Sequence, residues 1–289
     1  QDLFLSFLFY MHTIDEYLIN MYNFNMFLVQ EGFSIFGLHV SFYGLIIALG
    51  MMLSIFVVCK IAKYRNLSAD DIYLVALYVL PFSIIGARLY FVIFSDQAYT
   101  FWEVFKIWEG GMAIYGGVIG GAIGVILYCL IHKKNFFDVA DVAVVGLILG
   151  QAIGRIGCYF AGCCYGIAVT NEALMWFPFS TQINGVWHLS TFFFESFCNF
   201  IIFIVFVNII KKVKTKGVMM SLYLMLYGSV RCIIETFRGD SLYIGTIKVS
   251  QLLSAILILS GIILLICIYT INKKNKGNKN ENNNISKNI

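Results

Sequence analysis

The sequence predicts an all-α polytopic membrane protein with about seven transmembrane helices. Of its 289 residues, 60% are hydrophobic and only 12% are charged, which is far below the charged fraction of ordinary globular domains. The chain contains only two prolines. Apolar stretches of about 18 or more residues, long enough to cross a bilayer as helices, recur along it.

These stretches place the spans at residues 42–59, 72–94, 113–131, 139–157, 191–210, 217–236 and 250–271. The fourth span has Asp138, Asp141 and Arg155 near its ends, and the second contains Pro81 and Arg88. Charged side chains are costly in lipid, so they indicate helix faces that point into the protein. We see no internal repeat and expect residues 36–272 to form one transmembrane catalytic domain.

The two ends of the chain have a different composition. The first 30 residues contain no lysine or arginine, whereas a secretory signal peptide begins with a basic region. We therefore expect residues 1–35 to form an outward-facing arm at the membrane interface. Residues 273–289 are rich in asparagine and lysine, a composition typical of a disordered tail.

The basic residues predict the orientation of the chain. Fourteen of the 20 lysines and arginines follow the first, third, fifth or seventh span, within residues 60–65, 133–134, 211–216 and 273–287. By the positive-inside rule, that side of the membrane is cytoplasmic. The N-terminus is then outside and the C-terminus is cytoplasmic. Topology also accounts for the net charge of +4, so we expect no nucleic-acid partner.

Four of the five arginines lie elsewhere, toward the predicted outer ends of the second, fourth and sixth spans. They are Arg88, Arg155, Arg231 and Arg238. An arginine at the centre of a span costs about 2.5–3.5 kcal/mol on insertion scales, and its planar guanidinium binds phosphate through two hydrogen bonds. Several arginines at one depth therefore indicate a site for an anionic ligand such as a phospholipid headgroup. Structural pairing with carboxylates such as Glu195 is the alternative.

The stretch "YGSVRCIIETFRGD", residues 227–240, sharpens this prediction. Arg231, Glu235 and Arg238 are spaced at i, i+4 and i+7, which places them on one face of a helix. Glu235 can hold the side chain of either arginine while leaving donors for a ligand. At the end of an otherwise apolar span, this pattern indicates a polar cavity.

A second stretch, "EGGMAIYGGVIGGAIG" at residues 109–124, is rich in glycine at spacings of three and four residues. Small residues allow helices to approach closely in lipid, and this packing explains Gly120 and Gly124. Tyr115 lies between two Gly-Gly pairs. Its hydroxyl is either accessible to a substrate or simply part of the interfacial belt of tyrosines.

The stretch "GRIGCYFAGCCYG", residues 154–166, combines Arg155 with Cys158, Cys163 and Cys164. The C-x4-C-C spacing does not match the regular short spacings of zinc sites, so we expect no metal. A disulfide between Cys158 and one of the other two is an open alternative. A catalytic thiol is less favoured because no basic partner is evident.

These motifs, in this order, resemble the bacterial prolipoprotein diacylglyceryl transferases over residues 35–270. "VSFYGLIIALG", "GARLYFVIF" and "GGMAIYGGVIGG" resemble the first three helices of that family. "GRIGCYFAGCCYG" resembles its signature, "YGSVRCIIETFR" its Gly-x-x-Arg-x-x-x-Glu helix, and "VSQLLS" the start of its last span. The predicted topology agrees with that of the family.

The resemblance implies a bacterial cytoplasmic-membrane enzyme with its active site toward the outer face and without a cofactor. Such enzymes transfer the diacylglyceryl group of phosphatidylglycerol to the lipobox cysteine thiol of a preprolipoprotein, forming a thioether and releasing glycerol 1-phosphate. In this chain, the resemblance assigns the phosphate to Arg155 and Arg231, which would neutralise its charge. The predicted substrate-binding residues are Tyr43, Arg88, Gly166, Glu235 and Arg238.

The chain departs from the family pattern at several positions. Cys158, Ala161 and Cys163 replace Asn, Asn and Glu of the signature, and Tyr115 takes the place of a frequent histidine. Tyr115 is therefore our candidate for accepting the proton of the acceptor thiol, a role that requires arginines near its hydroxyl to favour its charged form. Alternatively, no strong base is required, because thiols are partly ionised near neutral pH.

Two other functions are compatible with these departures. One is a related membrane transferase that uses a different lipid or acceptor. The other is a lipid-binding or transport protein without catalysis, although transporters tend to show repeated halves with broken helices. Turnover of phosphatidylglycerol would distinguish the predicted reaction from both.

Overall fold

The computed structural model of the protein describes residues 32–35, 38–95, 97, 99–107, 110–239, 243–244 and 247–285. Most of the predicted arm at residues 1–35 lies outside this part of the chain. Within the described residues, seven helices are long and apolar enough to cross a membrane. The predicted all-α fold with seven spans, including the fourth, is therefore confirmed, and the orientation of the termini stays a prediction.

The spanning helices begin within three residues of the predicted positions. They are α1 Phe42–Ile61, α2 Ala69–Phe94, α3 Ile114–His132, α4 Phe136–Phe160, α5 Thr191–Ile209, α6 Val218–Thr236 and α7 Val249–Ile285. The backbone of α7 continues beyond the predicted domain boundary at residue 272, and the disorder of residues 273–289 stays a prediction. The connections also contain a one-turn helix, Phe101–Val104, and short 3-10 turns at Ala62–Arg65 and Glu172–Leu174.

In the described part of the chain, three small antiparallel hairpins, which the sequence analysis did not predict, precede α1, α5 and α7. Their strands are β1 Gly32–Ile35 with β2 Leu38–Ser41, β3 Ser180–Ile183 with β4 Val186–Leu189, and β5 Tyr243–Ile244 with β6 Ile247–Lys248. The registers pair Gly32 with Ser41, Ser180 with Leu189, and Tyr243 with Lys248. Successive spans alternate in direction, so the starts of the odd-numbered helices share one end of the bundle with the ends of the even-numbered helices.

Helix α4 is the central helix of the bundle. In its most apolar stretch of 18 residues, 61% of the residues are buried inside the protein, compared with 11% for α7. Val142, Val145 and Ile148 of α4 are fully buried, as are Phe206 of α5 and Tyr128 of α3. Helix α4 therefore has protein on most of its sides, while the outer helices expose apolar side chains as lipid-facing helices do.

Helix α3 packs directly on the backbone of α2, as its glycine pattern predicted. A Cβ atom on Gly120 would lie 2.0 Å from the carbonyl oxygen of Phe82, and one on Gly124 would lie 2.9 Å from the Cα of Val79. Such approaches are possible only without a side chain. The packing interpretation of Gly120 and Gly124 is confirmed.

A buried ion pair closes the predicted cytoplasmic end of the bundle. Arg65 meets the carboxylate of Asp141 at 3.0 Å, and their side chains are only 3% and 0% exposed. Asp141 also accepts hydrogen bonds from the backbone N–H groups of Gly217 and Met220. Arg65 was counted among the cations that set topology, but its contacts show that it also joins α4 to the connection before α6.

Candidate active site

Arg155, Arg231, Glu195 and Glu235 form one ion-pair network at the opposite end of the bundle. Arg155 lies in the last turns of α4, and its Nη2 is 2.9 Å from Glu195 Oε1 on α5. Arg231 of α6 reaches Glu195 Oε2 at 3.1 Å with Nη1 and Glu235 Oε2 at 3.0 Å with Nη2. Glu195 thus lies between the two arginines, and the four side chains carry no net charge.

The arginines and the carboxylates of this network differ in exposure. The side chains of Glu195 and Glu235 are each 2% exposed, whereas those of Arg155 and Arg231 are 18% and 15% exposed. The contacts of Arg155 to Glu195 Oε1 and of Arg231 to Glu235 Oε2 are ion pairs without hydrogen-bond geometry. The carboxylates therefore hold the arginines from the protein side and leave part of each guanidinium accessible to an anion.

Gly166 connects the cysteine-containing turn to the end of α6. Its N–H donates to the carbonyl oxygen of Leu189 in β4 at 2.8 Å, and its backbone forms an antiparallel bridge with Arg238. A Cβ atom at this position would lie 2.7 Å from the carbonyl oxygen of Phe237 and 2.9 Å from Leu189 Cβ. Only glycine allows these three segments to meet.

Tyr43, in the first turn of α1, packs against α4 beside Arg155. A Cβ atom on Gly157 would lie 3.1 Å from the Tyr43 ring, and the ring is 40% exposed. Ser41 caps the helix at this point by accepting a hydrogen bond from Gly44 N–H. Tyr43 is therefore placed to form one wall beside the arginines.

The turn after α4 brings three thiols to the edge of the network. Thr191 Oγ1 donates to the carbonyl oxygen of Cys164 at 2.7 Å, and Arg155 Nη1 lies 3.6 Å from Cys164 Sγ. Hydrogen bonds from Cys158 and Cys163, assisted by the charge of Arg155, hold the pKa of the Cys164 thiol well below its usual range. All three cysteines are free thiols in the structure.

Arg88 forms its hydrogen bonds outside the ion-pair network, with the connection between α2 and α3. It donates to the carbonyl oxygens of Glu103, Val104, Gly110 and Gly111 at 2.6–3.1 Å, and it is only 5% exposed. These contacts hold the connection between α2 and α3 against the end of α2. Substrate contact by Arg88 stays a prediction, and the observed role is to position this connection.

Tyr115 also lies apart from the ion-pair network in its contacts. It is the second residue of α3 and is 37% exposed, and its ring lies 6.2 Å from that of Tyr90 on α2. Among the described residues, none forms a hydrogen bond with its hydroxyl. Tyr115 is accessible from outside the bundle, but the structure gives no contact that links it to Arg155 or Arg231.

Sequence reasoning missed two polar side chains, one half-buried and one buried, that continue the network into the bundle. Gln151 of α4 donates to the hydroxyl of Tyr223 on α6 at 2.9 Å, and Asn199 of α5 is fully buried. No described residue forms a hydrogen bond with the side-chain amide of Asn199. Gln151 lies one turn before Arg155 and Asn199 one turn after Glu195, so a four-residue spacing from a charged residue could have identified both.

Known proteins resemble the chain over most of its length. A family model described as prolipoprotein diacylglyceryl transferase matches residues 30–267. A phosphatidylglycerol–prolipoprotein diacylglyceryl transferase of Clostridium botulinum (strain Loch Maree / Type A3) is 41% identical over 251 residues, covering 84% of this chain and 97% of the relative. A Clostridium perfringens (strain 13 / Type A) protein named phosphatidylglycerol–prolipoprotein diacylglyceryl transferase 1 is 39% identical over 251 residues, with 84% and 96% covered.

A Finegoldia magna protein with the name phosphatidylglycerol–prolipoprotein diacylglyceryl transferase is 40% identical over 240 residues, covering 82% of this chain and 94% of the relative. The matched region contains all seven spanning helices apart from the end of the last, and it includes the whole ion-pair network. The chain belongs to the prolipoprotein diacylglyceryl transferase family.

Proposed function

We propose that this multi-pass membrane protein transfers the diacylglyceryl group of phosphatidylglycerol to the cysteine thiol of a prolipoprotein. The observation that carries the proposal is the pair of partly exposed guanidiniums, Arg155 and Arg231, held on one buried carboxylate, Glu195. The family and its relatives supply the reaction, and this pair supplies a binding site for the phosphate of the donor lipid.

In the proposed reaction, the sulfur of the acceptor cysteine attacks the phosphate-bearing carbon of the diacylated glycerol. A C–S bond forms and the C–O bond to phosphate breaks, so that glycerol 1-phosphate leaves with the bonding electron pair. The thiol proton passes to a base or to the departing phosphate. Arg155 and Arg231 stabilise the negative charge that moves onto this phosphate, which is most effective where water is excluded.

The neighbouring residues receive roles that fit their positions. Tyr43 and Gly166 shape the pocket on either side of Arg155, while Glu235 and Arg238 support Arg231 and the adjoining loop. The glycerol esters of the lipid are polar, and the amides of the buried Asn199 and the half-buried Gln151 can form hydrogen bonds with them. Tyr115 stays the candidate proton acceptor. The site faces the outer side of the bacterial cytoplasmic membrane.

A defined mixture tests the reaction directly. The purified protein is incubated with phosphatidylglycerol liposomes and a synthetic peptide containing a lipobox cysteine, and the peptide is analysed by mass spectrometry. We expect the mass of a diacylglyceryl group on the cysteine, released glycerol 1-phosphate, and no product from a peptide with serine instead. No adduct under conditions in which the Clostridium botulinum relative forms one would overturn the proposal, and transfer from a different lipid would redirect it.

A further inference from the structure

The proposed transfer does not use the three thiols at the end of α4. The sulfurs of Cys158, Cys163 and Cys164 all lie within 4.8 Å of one another. The spacing of these cysteines in the sequence argued against a metal site, but the folded chain brings their three sulfurs together. Three thiols at one point are a set of soft ligands of the kind that zinc selects.

The backbone explains this convergence. Helix α4 ends at Phe160, and the chain then reverses so that Cys163 N–H donates to the carbonyl oxygen of Cys158 at 3.1 Å. Gly162 and Cys164 both have positive φ, at 58° and 60°. These two left-handed residues flank Cys163 and turn its side chain and that of Cys164 back toward Cys158, which is buried.

The separations of the sulfurs suit a single ion. With Zn–S bonds of about 2.3 Å, the sulfurs of a tetrahedral or trigonal site are about 3.8–4.0 Å apart. The sulfurs here need to move by less than about 1 Å to reach that geometry. Small side-chain rotations suffice, so no rearrangement of the backbone is required.

The charges around the cluster are also favourable. Three thiolates and one Zn²⁺ carry a net charge of −1, which is costly in a site that is partly buried. Arg155 Nη1 lies 3.6 Å from Cys164 Sγ and offsets part of this charge, while its Nη2 pairs with Glu195. A group that hydrogen-bonds to a metal ligand helps to orient that ligand, and Arg155 is placed to do so for Cys164.

We propose that Cys158, Cys163 and Cys164 bind one zinc ion. Each thiol releases its proton to solvent as its Zn–S bond forms, so three protons leave and no oxidant or reductant takes part. The fourth coordination position is open to water or another small ligand. The ion fixes the turn between Arg155 and Gly166, and its binding can be measured without the proposed transfer reaction.

Metal content gives the first test. The full-length protein is purified in detergent, treated with reductant and chelator, and then equilibrated with Zn²⁺ or Cd²⁺ alone. We expect one ion per chain and, with Cd²⁺, the ultraviolet charge-transfer absorption of thiolate ligands. The Cys163→Ser variant should bind the ion at least about tenfold more weakly. Cys198→Ser and Cys232→Ser, at half-buried thiols on α5 and α6 outside the cluster, should bind as the unaltered protein does.

A second measurement needs no variant, so a folding defect in Cys163→Ser cannot affect it. The unaltered protein is alkylated with and without Zn²⁺, and each modified cysteine is located by mass spectrometry. Zinc should protect Cys158, Cys163 and Cys164 and leave the labelling of Cys267, which lies outside the cluster on α7, unchanged. Equal labelling of the three cysteines with and without zinc would overturn the proposal. A disulfide among them that prevents metal uptake until it is reduced, and re-forms in the presence of zinc, would also overturn it.

Discussion

Near its start, α4 buries Asp141 against Arg65, and near its end it presents Arg155 to Glu195. The side chains of Arg65 and Asp141 are 3% and 0% exposed. Arg155 is 18% exposed even though its carboxylate partner is 2% exposed. The same helix thus carries one ion pair that is closed to solvent and one whose arginine is partly open.

The hydrogen-bond partners show why the two ends differ. Asp141 accepts from Arg65 and from two backbone N–H groups at the start of α6, so its charge is met entirely by the protein. At the other end, Glu195 serves two arginines at once, and part of each guanidinium stays accessible although the network as a whole carries no net charge. A closed pair supports folding, whereas an open pair with shared carboxylates is suited to binding an anion.

The largest effect on stability should come from breaking the closed pair. Asp141→Asn removes the negative charge but keeps the shape, so that Arg65 is left buried without a counter-charge. We expect the free energy of unfolding to fall by about 3–5 kcal/mol. Equilibrium unfolding of the purified protein in mixed detergent measures this loss.

The matched control lies one turn earlier on the same helix. Asp138 pairs with Lys216, whose side chain is 53% exposed, and such pairs contribute about 0–1 kcal/mol. Asp138→Asn should therefore unfold nearly as the unaltered protein does. Equal destabilisation by the two substitutions would show that burial of the Asp141 pair has no special role.

The open pair should behave in the opposite way. In Arg155→Ala, Glu195 keeps Arg231 as its partner, so we expect the protein to stay folded. Transfer should fall by about 10²–10³-fold, because one donor to the developing phosphate charge is lost. The peptide transfer assay and a thermal unfolding curve, recorded on the same preparation, separate the two effects.

Two variants sharpen this result. Arg155→Lys keeps the charge without the forked geometry of arginine and should be intermediate in activity. Lys216→Ala removes an exposed cation at the other end of the bundle and should leave transfer unchanged. Near-normal turnover by Arg155→Ala would exclude its role in phosphate binding, and unfolding of this variant would contradict the distinction between the two ends.

The sequence was sufficient to predict the positions of the membrane spans, because a span is indicated by the composition of a single continuous segment. Each helix starts within three residues of its prediction, and the alternation of apolar and polar composition needs no tertiary information. Arg155, Arg231 and Glu235 were identified for the same reason: each is a costly residue inside an apolar segment. Glu195 was named as a possible partner of the arginines, but its position between Arg155 and Arg231 depends on how α4, α5 and α6 pack.

The other differences between the sequence-based predictions and the structure also arise from tertiary contacts. The positive φ of Cys164 gathers the three thiols, and such a conformation is uncommon for a residue other than glycine. Arg88 resembled a ligand-binding arginine in the sequence, yet four backbone carbonyls of its neighbouring connection accept its hydrogen bonds. Arg65 was counted among the cations that set topology, and its side chain proves to be buried in an ion pair. In each case the residue type was informative, and its partners were fixed by segments distant in sequence.

A smaller loss of stability is expected from a change at Gly166, which joins the cysteine-containing turn to the segment after α6. In Gly166→Ala, the added methyl group would meet the carbonyl oxygen of Phe237 at 2.7 Å, so the bridge to Arg238 must shift. We expect about 1–3 kcal/mol of destabilisation, typical of overpacking, together with reduced transfer. Gly154→Ala is the control, since a Cβ atom there has no described neighbour within 4 Å. Its unfolding free energy should be equal or slightly higher, and a loss as large as that of Gly166→Ala would refute the packing argument.

The smallest effect is expected at Tyr115, which belongs to the open end but has no described contact with the arginines. In Tyr115→Phe only the hydroxyl is lost, and a single hydrogen bond contributes about 0.5–1.5 kcal/mol, so transfer should slow by up to about tenfold. If the hydroxyl acts on the acceptor thiol, kcat falls while the KM for phosphatidylglycerol is unchanged. Tyr90→Phe is the control, because it alters the neighbouring ring and should leave both constants as they are. Unchanged kinetics in Tyr115→Phe would exclude Tyr115 as the proton acceptor and restrict the reacting groups to the network around Arg155 and Arg231.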